Sequence, residues 1–244
     1  MLPKNKIEDY VFDKRTHEVL YKLSKEGIID SIDTTISSGK EAVTFLGHSK
    51  NVPIVAKIYK VETSSFHNME SYIVGDYRFK NVPKNKREIF LVWASKEYRN
   101  LTTSLKNGVS CPVVIAKREN ILIMSFIGED EIPFPKLNEI SFDFEEVYPQ
   151  IIENYARMLY LAKIVHADFS AFNILIDPRT QKLTIIDMGQ AVSYSHPKAK
   201  EFLKRDIKNI TNFLKKRFKN IDLTYDKFLQ DLKNKKQEFY ARNN

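Results

Sequence analysis

The chain of 244 residues has a single cysteine and no long apolar run, and both shortages exclude classes of protein. Cys111 cannot form an internal disulfide, and the proline and apolar segment after it predict a small buried residue. No histidine cluster with cysteine has the spacing of a zinc site. The N-terminus is polar, and the apolar runs fall well below the roughly 20 residues of a membrane span. We therefore expect a cytoplasmic protein that does not bind membranes.

Acidic residues are scarce toward the C-terminus, where the net charge of +8 is concentrated. From Lys198 onward there are 14 Lys and Arg against 6 Asp and Glu, whereas residues 1–197 hold 25 of each. The pattern predicts two helices, about Lys198 to Lys219 and Leu223 to Arg242, with these side chains facing inward: Phe202, Phe213, Phe218, Phe228, Leu232 and Phe239. The basic faces are either ordinary solvated surfaces or a contact surface for phosphate-rich RNA.

The most informative segment is HADFSAFN, residues 166–173, which Asp187 follows fourteen residues later in LTIIDMGQ. Asp168 and Asn173 are five positions apart, the spacing that protein kinases use in their catalytic loop. There, one carboxylate faces the acceptor hydroxyl, while the amide and a second carboxylate chelate magnesium on the phosphates of ATP. An isolated Asp or Asn after a helix is more often a turn former. The three residues in this order favour a nucleotide site.

The sequence between Asn173 and Asp187 predicts a hairpin. ILIDPRTQKLTII contains two apolar runs joined by Asp-Pro and a polar turn. Such a hairpin returns Asp187 to the side of Asn173. His166, just before the loop, is expected to brace it through hydrogen bonds rather than to exchange protons.

A kinase also needs a lysine on a strand that contacts the phosphates. Lys57 lies in PIVAKIY, an apolar run that resembles the V-A-I-K strand of kinases with the lysine shifted by one residue. The alternative is a lysine that keeps an edge strand soluble.

Glu97 is the candidate partner of that lysine. A helix is predicted from Pro83 to Lys106, with Gly108 as the residue that stops it. Glu97 interrupts its apolar stripe, which otherwise consists of Phe90, Ala94, Leu101 and Leu105. A carboxylate on a buried face requires a cation, and Lys57 is the candidate. The alternative is a partly exposed glutamate beside Lys96 or Arg99.

A short turn stands where kinases usually have a G-x-G-x-x-G loop. Residues 36–42 read ISSGKEA between two predicted strands, so phosphates would meet hydroxyls, backbone amides and Lys40. Alone, S-S-G-K-E is an ordinary hairpin turn, and it does not complete a P-loop.

These segments resemble the RIO family of atypical protein kinases. ISSGKEA, VAKIY, SKEYRNL, MSFIG, HADFSAFNIL and IIDMGQAV match the family pattern, and the likeness covers about Asp13 to Lys219. The Gly-Lys-Glu-Ala loop and the few residues before it favour the type 1 branch over type 2, which carries a winged helix. The chain departs from the family at Ser38, usually Thr, at Val43, usually Asn, and at Ser125, usually Glu.

The resemblance implies an α+β, two-lobed, protein-kinase-like fold with a reduced C-terminal lobe. The expected divisions are a helical N-terminal segment at 1–30 that packs on the kinase, an N-lobe at 31–127 and a C-lobe at 128–244. We also predict a helix from about Phe142 to Ile164 that supports the catalytic loop. No A-P-E sequence follows Asp187, so peptide recognition by an activation segment is not expected.

The resemblance also implies the roles of the residues. Asp168 is then the proton acceptor, Asn173 and Asp187 bind Mg²⁺ or Mn²⁺, and Lys57 contacts the phosphates of ATP. The ATP-binding residues that the resemblance implies also include Glu97, Ser38 and Lys40. The backbone of Ser125 and Ile127 would contact adenine. Family members can form a phosphoaspartate on the metal-loop acid, here Asp187, and would then act as ATPases.

The expected partners are the chain itself and RNA. Ser64, Ser65 and Ser71 are candidate sites of self-phosphorylation. The family's role in small ribosomal subunit maturation implies that the basic C-terminal helices contact the pre-ribosomal subunit and its rRNA. Two alternatives stay open: a small-molecule phosphotransferase of kinase-like fold, and a catalytically silent RNA-binding scaffold.

Overall fold

The computed structural model of the protein describes residues 13–60, 66–79 and 86–241, and the chain divides into two compact units. Unit 1 comprises Met1–Val74, Asn81–Arg99 and Pro112–Pro133, and unit 2 comprises the remainder. The expected boundaries after residues 30 and 127 differ from this division, because unit 2 also takes Gly75–Lys80 and Asn100–Cys111. Each unit contains both helices and strands, as the predicted α+β class requires.

Unit 1 is built on an antiparallel sheet. Its elements are helix α1 (Lys14–Lys25), strands β1 (Ser31–Ser38), β2 (Ala42–Ser49) and β3 (Val52–Tyr59), helix α2 (Phe66–Ile73), helix α3 (Lys86–Lys106), strands β4 (Val114–Arg118) and β5 (Ile121–Ser125), and the hairpin β6 (Gly128–Glu129) and β7 (Ile132–Pro133). The strand order is β1-β2-β3-β5-β4, so β3 is central. Helix α3 begins in unit 1 and ends in unit 2. The predicted start of that helix, Pro83, lies outside the described residues.

Helix α1 covers one face of this sheet. The carboxylate of Asp13 caps it by accepting a hydrogen bond of 2.9 Å from the Thr16 amide. Its apolar side chains recur at helical spacing and join a buried cluster with alternate residues of β3, namely Val19, Leu20, Leu23, Ile54, Ala56 and Ile58. Burying each of the Val, Leu and Ile side chains contributes about 1.5–3 kcal/mol. Because side chains alternate along a strand, Lys57 lies on the opposite face.

Unit 2 is mostly helical. It contains α4 (Phe144–Ala156), a π-helical turn (Arg157–Leu161), β8 (Ile164–Val165), a 3₁₀ turn (Ala171–Asn173), β9 (Ile174–Ile176), β10 (Leu183–Ile185), β11 (Val192–Ser193), α5 (Ala199–Arg217) and α6 (Tyr225–Ala241). The predicted helix to Ile164 was too long. Lys163 takes the left-handed conformation at φ 57°, and the next two residues pair with β11 instead.

The two C-terminal helices match the prediction closely. Most of the side chains predicted to face inward are buried, namely Phe202, Phe228, Leu232 and Phe239. Phe213 and Phe218 are half-buried, and their rings lie 6.3 and 5.2 Å from that of Phe142. No helix in the described part of the chain is long and apolar enough to span a membrane. Cys111 is buried as predicted, and burial raises the pKa of its thiol to about 12.

Candidate functional site

Lys57 and Glu97 form a buried ion pair within unit 1. The Nζ atom of Lys57 lies 2.9 Å from each carboxylate oxygen of Glu97. The side chains are only 12% and 1% exposed, so little water screens the pair. The predicted pairing is therefore confirmed. The alternatives are wrong, because β3 is the central strand and Glu97 is buried.

The apolar stripe of α3 is confirmed except at its end. Phe90, Ala94 and Leu101 are buried on the same helix as Glu97. Leu105 is 38% exposed, contrary to the prediction, because it lies in the last turn, one residue before the helix ends at Lys106.

A lysine that the sequence patterns did not single out secures the β1–β2 turn. The Nζ atom of Lys60 donates to Gly39 O at 2.9 Å and lies 3.3 Å from Ser38 Oγ, while its amide donates to Glu41 O. Lys40 is exposed at the tip. The turn thus carries two ammonium groups, which suits an anionic ligand. The only signal for Lys60 in the sequence was its place at the end of β3.

Ser125, which is predicted to contact adenine through its backbone, is bonded to Val113. Its amide donates to Val113 O at 2.8 Å, and its hydroxyl accepts from the Val113 amide at 3.0 Å. The amide of Ser125 is therefore engaged within unit 1, and its contact with adenine stays a prediction. Ile127 follows as a half-buried residue.

In unit 2 the catalytic-loop candidates meet through Asn173. Its Nδ2 atom donates to Asp168 O at 2.9 Å and to Asp168 Oδ2 at 3.1 Å. The backbone carbonyl of Asn173 accepts a 3.0 Å hydrogen bond from the backbone amide of Ile186, the residue before Asp187. Strands β9 and β10 pair with Ile174 opposite Ile185. The predicted hairpin is confirmed, and it brings Asp187 back to Asn173.

The two acids differ in environment. Burial, followed by the negative charge of Asp187, raises the pKa of Asp168, while the hydrogen bond from Asn173 and the charge of Arg205 oppose this rise. A raised pKa makes a carboxylate a better proton acceptor. Asp187 is exposed and holds a left-handed backbone at φ 59°. The amide of Gln190 lies 3.4 Å from Asp168 Oδ2.

His166 braces the loop, as predicted. Its side chain is fully buried, and Nε2 donates to Ile186 O at 3.2 Å. The ring also lies 5.6 Å from that of Phe169. This contact joins the start of the catalytic loop to the strand that leads into Asp187.

Asp206 on α5 also holds the loop, although the sequence patterns did not reveal it. Its fully buried carboxylate accepts hydrogen bonds from the amides of Ala167 and Phe169 at 2.8 and 3.0 Å, and from the Tyr155 hydroxyl at 2.8 Å. These bonds enclose Asp168 on both sides, and Arg205 donates to Ala167 O. Burial raises the pKa of Asp206 to about 6. The sequence signal that could have revealed Asp206 is an acidic residue within the apolar stripe of α5.

The residues of unit 2 fit a magnesium ion. The described part of the chain has no group of three or more His, Cys, Asp or Glu arranged for a metal. Magnesium needs fewer, because it usually keeps several waters and takes one or two carboxylates plus phosphate oxygens. The nitrogen of Asn173 is already engaged, which leaves its amide oxygen as a ligand beside Asp187. A bound cation would also relieve the electrostatic repulsion between the carboxylates of Asp168 and Asp187.

Sequence comparisons identify relatives along most of the chain. A RIO domain model matches residues 41–228. The chain is 36% identical over 219 residues to the RIO-type serine/threonine-protein kinase Rio1 of Haloferax volcanii, covering 89% of this chain and 74% of that protein. It is 37% identical to human serine/threonine-protein kinase RIO1 and 35% identical to human RIO3. Each alignment covers 84% of this chain, but only 37% and 42% of the human proteins.

Two solved structures of Rio2 kinase from Chaetomium thermophilum share the fold. One, an ADP/Mg²⁺-phosphoaspartate complex, has a TM-score of 0.66 at 22% identity, covering 87% of this chain and 64% of that one. The other has a TM-score of 0.64 at 24% identity, covering 87% and 66%. The predicted α+β fold of the kinase-like RIO type is confirmed. Similarity to both Rio1 and Rio3 supports the family without separating these two branches.

Proposed function

The chain belongs to the RIO domain family, and we propose that it is an ATP- and magnesium-dependent serine/threonine-protein kinase of the type 1 branch. The Gly-Lys-Glu-Ala loop supports this branch. One observation carries the proposed activity: the amide of Asn173 bonds Asp168 while its backbone bonds the strand end before Asp187. We also propose that the reaction can use Mn²⁺ in place of Mg²⁺.

In the proposed reaction, Asp168 takes the proton of the acceptor hydroxyl. The hydroxyl oxygen forms a bond to the γ-phosphorus, and the bond from that phosphorus to its bridging oxygen breaks as ADP leaves. Magnesium, when bound, neutralises phosphate charge. Asp187 and Asn173 would hold the magnesium ion, and Lys57, fixed by Glu97, would contact the phosphates.

A second course of the reaction uses Asp187 as the nucleophile. The Chaetomium thermophilum Rio2 complex contains phosphoaspartate, and in this chain the exposed Asp187 follows the hairpin of β9 and β10. Its oxygen would bond to the γ-phosphorus, ADP would leave, and water would later cleave the acyl phosphate. The enzyme would then act as an ATPase.

Acid-quenched turnover of γ-labelled ATP distinguishes these outcomes. Wild type, Asp187→Asn and Asp168→Ala are incubated with Mg²⁺ or Mn²⁺, and the labelled protein is treated with hydroxylamine. Label that resists hydroxylamine indicates a serine kinase, whereas label that hydroxylamine releases and Asp187→Asn lacks indicates an aspartyl phosphate. Label on an added small-molecule acceptor, and not only on inorganic phosphate or protein, indicates a small-molecule phosphotransferase. Absence of turnover indicates a silent scaffold.

Self-phosphorylation is part of the proposal. Ser71 is half-buried on α2, and Ser64 and Ser65 lie outside the described residues. Mass spectrometry of the enzyme after incubation with ATP, with Asp168→Ala as the inactive control, identifies the modified serine. Phosphate at equal levels in that control would contradict self-phosphorylation.

We further propose that the C-terminal helices bind rRNA of the cytoplasmic small-subunit precursor. From Lys198 to Ala241 every Lys and Arg is exposed except Lys235, which pairs with Glu153 and Glu238. The apolar side chains of both helices face inward and the basic side chains lie on the exposed side, where a polyanion can reach them.

Salt-dependent binding to rRNA fragments tests this surface. Lys208→Glu, Lys215→Glu and Lys216→Glu together should weaken binding and flatten the dependence of log K on log salt concentration, because fewer counterions are released. Lys22→Glu on α1 is the control for a charge change elsewhere. Equal effects of the two changes would refute a specific role of α5.

A further inference from the structure

A chain of buried polar side chains in unit 2 ends on the segment that follows Asp187. Asn100, fully buried on α3, donates through Nδ2 to Met188 O and to Ala191 O, both at 2.8 Å. These carbonyls flank the two residues between them. A single amide therefore fixes both ends of the turn that begins next to Asp187.

Arg78 determines how that amide is oriented. Its NH1 atom donates to Asn100 Oδ1 at 2.8 Å. Turning the amide over would place its oxygen against the two carbonyl oxygens and its NH₂ group against the guanidinium. Both contacts would be repulsive, so Arg78 keeps the two donors of Asn100 directed at the turn.

Asp76 in turn fixes Arg78. The carboxylate accepts from Nε at 2.8 Å and from NH2 at 2.6 Å, a bidentate pair with Asp76 only 2% exposed. Asp76 Oδ2 also lies 3.2 Å from the amide of Ser193, so the network meets the metal-loop segment a second time. Arg78 lowers the pKa of Asp76 against the effect of burial.

We propose that Asp76, Arg78 and Asn100 are positioning residues that hold the backbone after Asp187 in the conformation needed for magnesium binding. The expected effect on magnesium-dependent catalysis rests on the proposed function. The expected ordering of the backbone after Asp187 does not. Residues that orient a metal ligand typically change metal affinity 10–100-fold when mutated. Leu has nearly the shape of Asn without its hydrogen-bonding groups, so Asn100→Leu is the sharpest change.

The test measures hydrogen exchange in peptides covering residues 187–193 of the nucleotide-free protein. Asn100→Leu and Arg78→Met should speed exchange there by at least about tenfold, and Arg78→Lys, which keeps one donor, by less. Asn107→Leu is the matched control, because Asn107, one residue after the end of α3, also donates Nδ2 to a carbonyl, that of Thr103 four residues earlier. Unchanged exchange at 187–193 in Asn100→Leu would overturn the proposal.

The second readout is the magnesium concentration that gives half-maximal ATP turnover. Asn100→Leu should raise it about tenfold or more, whereas Asn107→Leu should not. A lower melting temperature with an unchanged magnesium constant would mean that the network only stabilises the fold, which also overturns the proposal. A wild type without turnover would count against the proposed kinase activity, while the exchange measurement would still decide whether the network orders the segment.

Discussion

Replacing Glu97 with Gln should destabilise the protein far more than the same change at an exposed ion pair. Glu97 is 1% exposed and faces Lys57, which is 12% exposed. Removing one partner of a buried pair leaves an uncompensated charge and costs about 3–5 kcal/mol. Gln keeps one acceptor and Lys57 retains some contact with water, so we expect a loss near the lower end, about 3 kcal/mol.

The matched control is Glu153→Gln in unit 2. Glu153 pairs with Arg157 at 2.7 Å and with Lys235 at 3.4 Å, but the three side chains are 29–30% exposed. Screening by water limits such a pair to about 1 kcal/mol or less. Urea unfolding of both variants and the wild type gives the two free-energy changes directly.

The Michaelis constant for ATP provides the functional measurement. Glu97→Gln releases the ammonium of Lys57 from its fixed position, and a hydrogen bond to a charged group contributes about 1.5–3 kcal/mol. The constant should therefore rise at least about tenfold, while Glu153→Gln leaves it unchanged. Equal stability losses in the two variants would refute the assignment of a buried pair. An unchanged ATP constant in Glu97→Gln would refute its role in nucleotide binding.

Three further predictions test other parts of the structure. Asp187→Ala should abolish magnesium-dependent nucleotide binding, whereas Asp168→Ala should keep binding and lower the rate by roughly 10² to 10⁴, and equal loss of binding would contradict these roles. Burial raises the pKa of Asp206 to about 6, so its contribution to stability is present below about pH 4 and lost as pH rises through 6. Urea unfolding between pH 4 and 6 should therefore show a steeper fall for wild type than for Asp206→Asn, and parallel curves would disprove it. Gly47→Ala should lower the free energy of unfolding by about 1–3 kcal/mol, because a Cβ there would meet a backbone oxygen of Ser31. Urea unfolding measures this loss, and an unchanged free energy would exclude that contact.

Local patterns in the sequence predicted two parts of the site. The hairpin that returns Asp187 to Asn173 was evident because two apolar runs and a turn lie within one short segment. The pairing of Lys57 with Glu97 was predictable because a charge interrupted an apolar helix stripe, and a buried charge requires a partner.

Periodicity was less informative at the ends of elements. Helix α4 ended earlier than its apolar pattern suggested, because Lys163 turns left-handed and the next residues pair with β11. Competition between a helix and a strand partner far along the chain cannot be read from a local window.

The sequence by itself determined the chemistry of this protein: which acids, amide and lysine are present, at which spacing, and where the positive charge lies. Only the tertiary structure showed which distant residues hold the catalytic loop and the segment after Asp187. Asp206 reaches the catalytic loop from α5, and Asp76, Arg78 and Asn100 reach the segment after Asp187 from two other parts of the chain. The physical reason is that a hydrogen-bond network is defined by distance in space, so its members leave no fixed spacing in sequence, whereas a catalytic loop keeps its spacing because one short backbone segment must present every group.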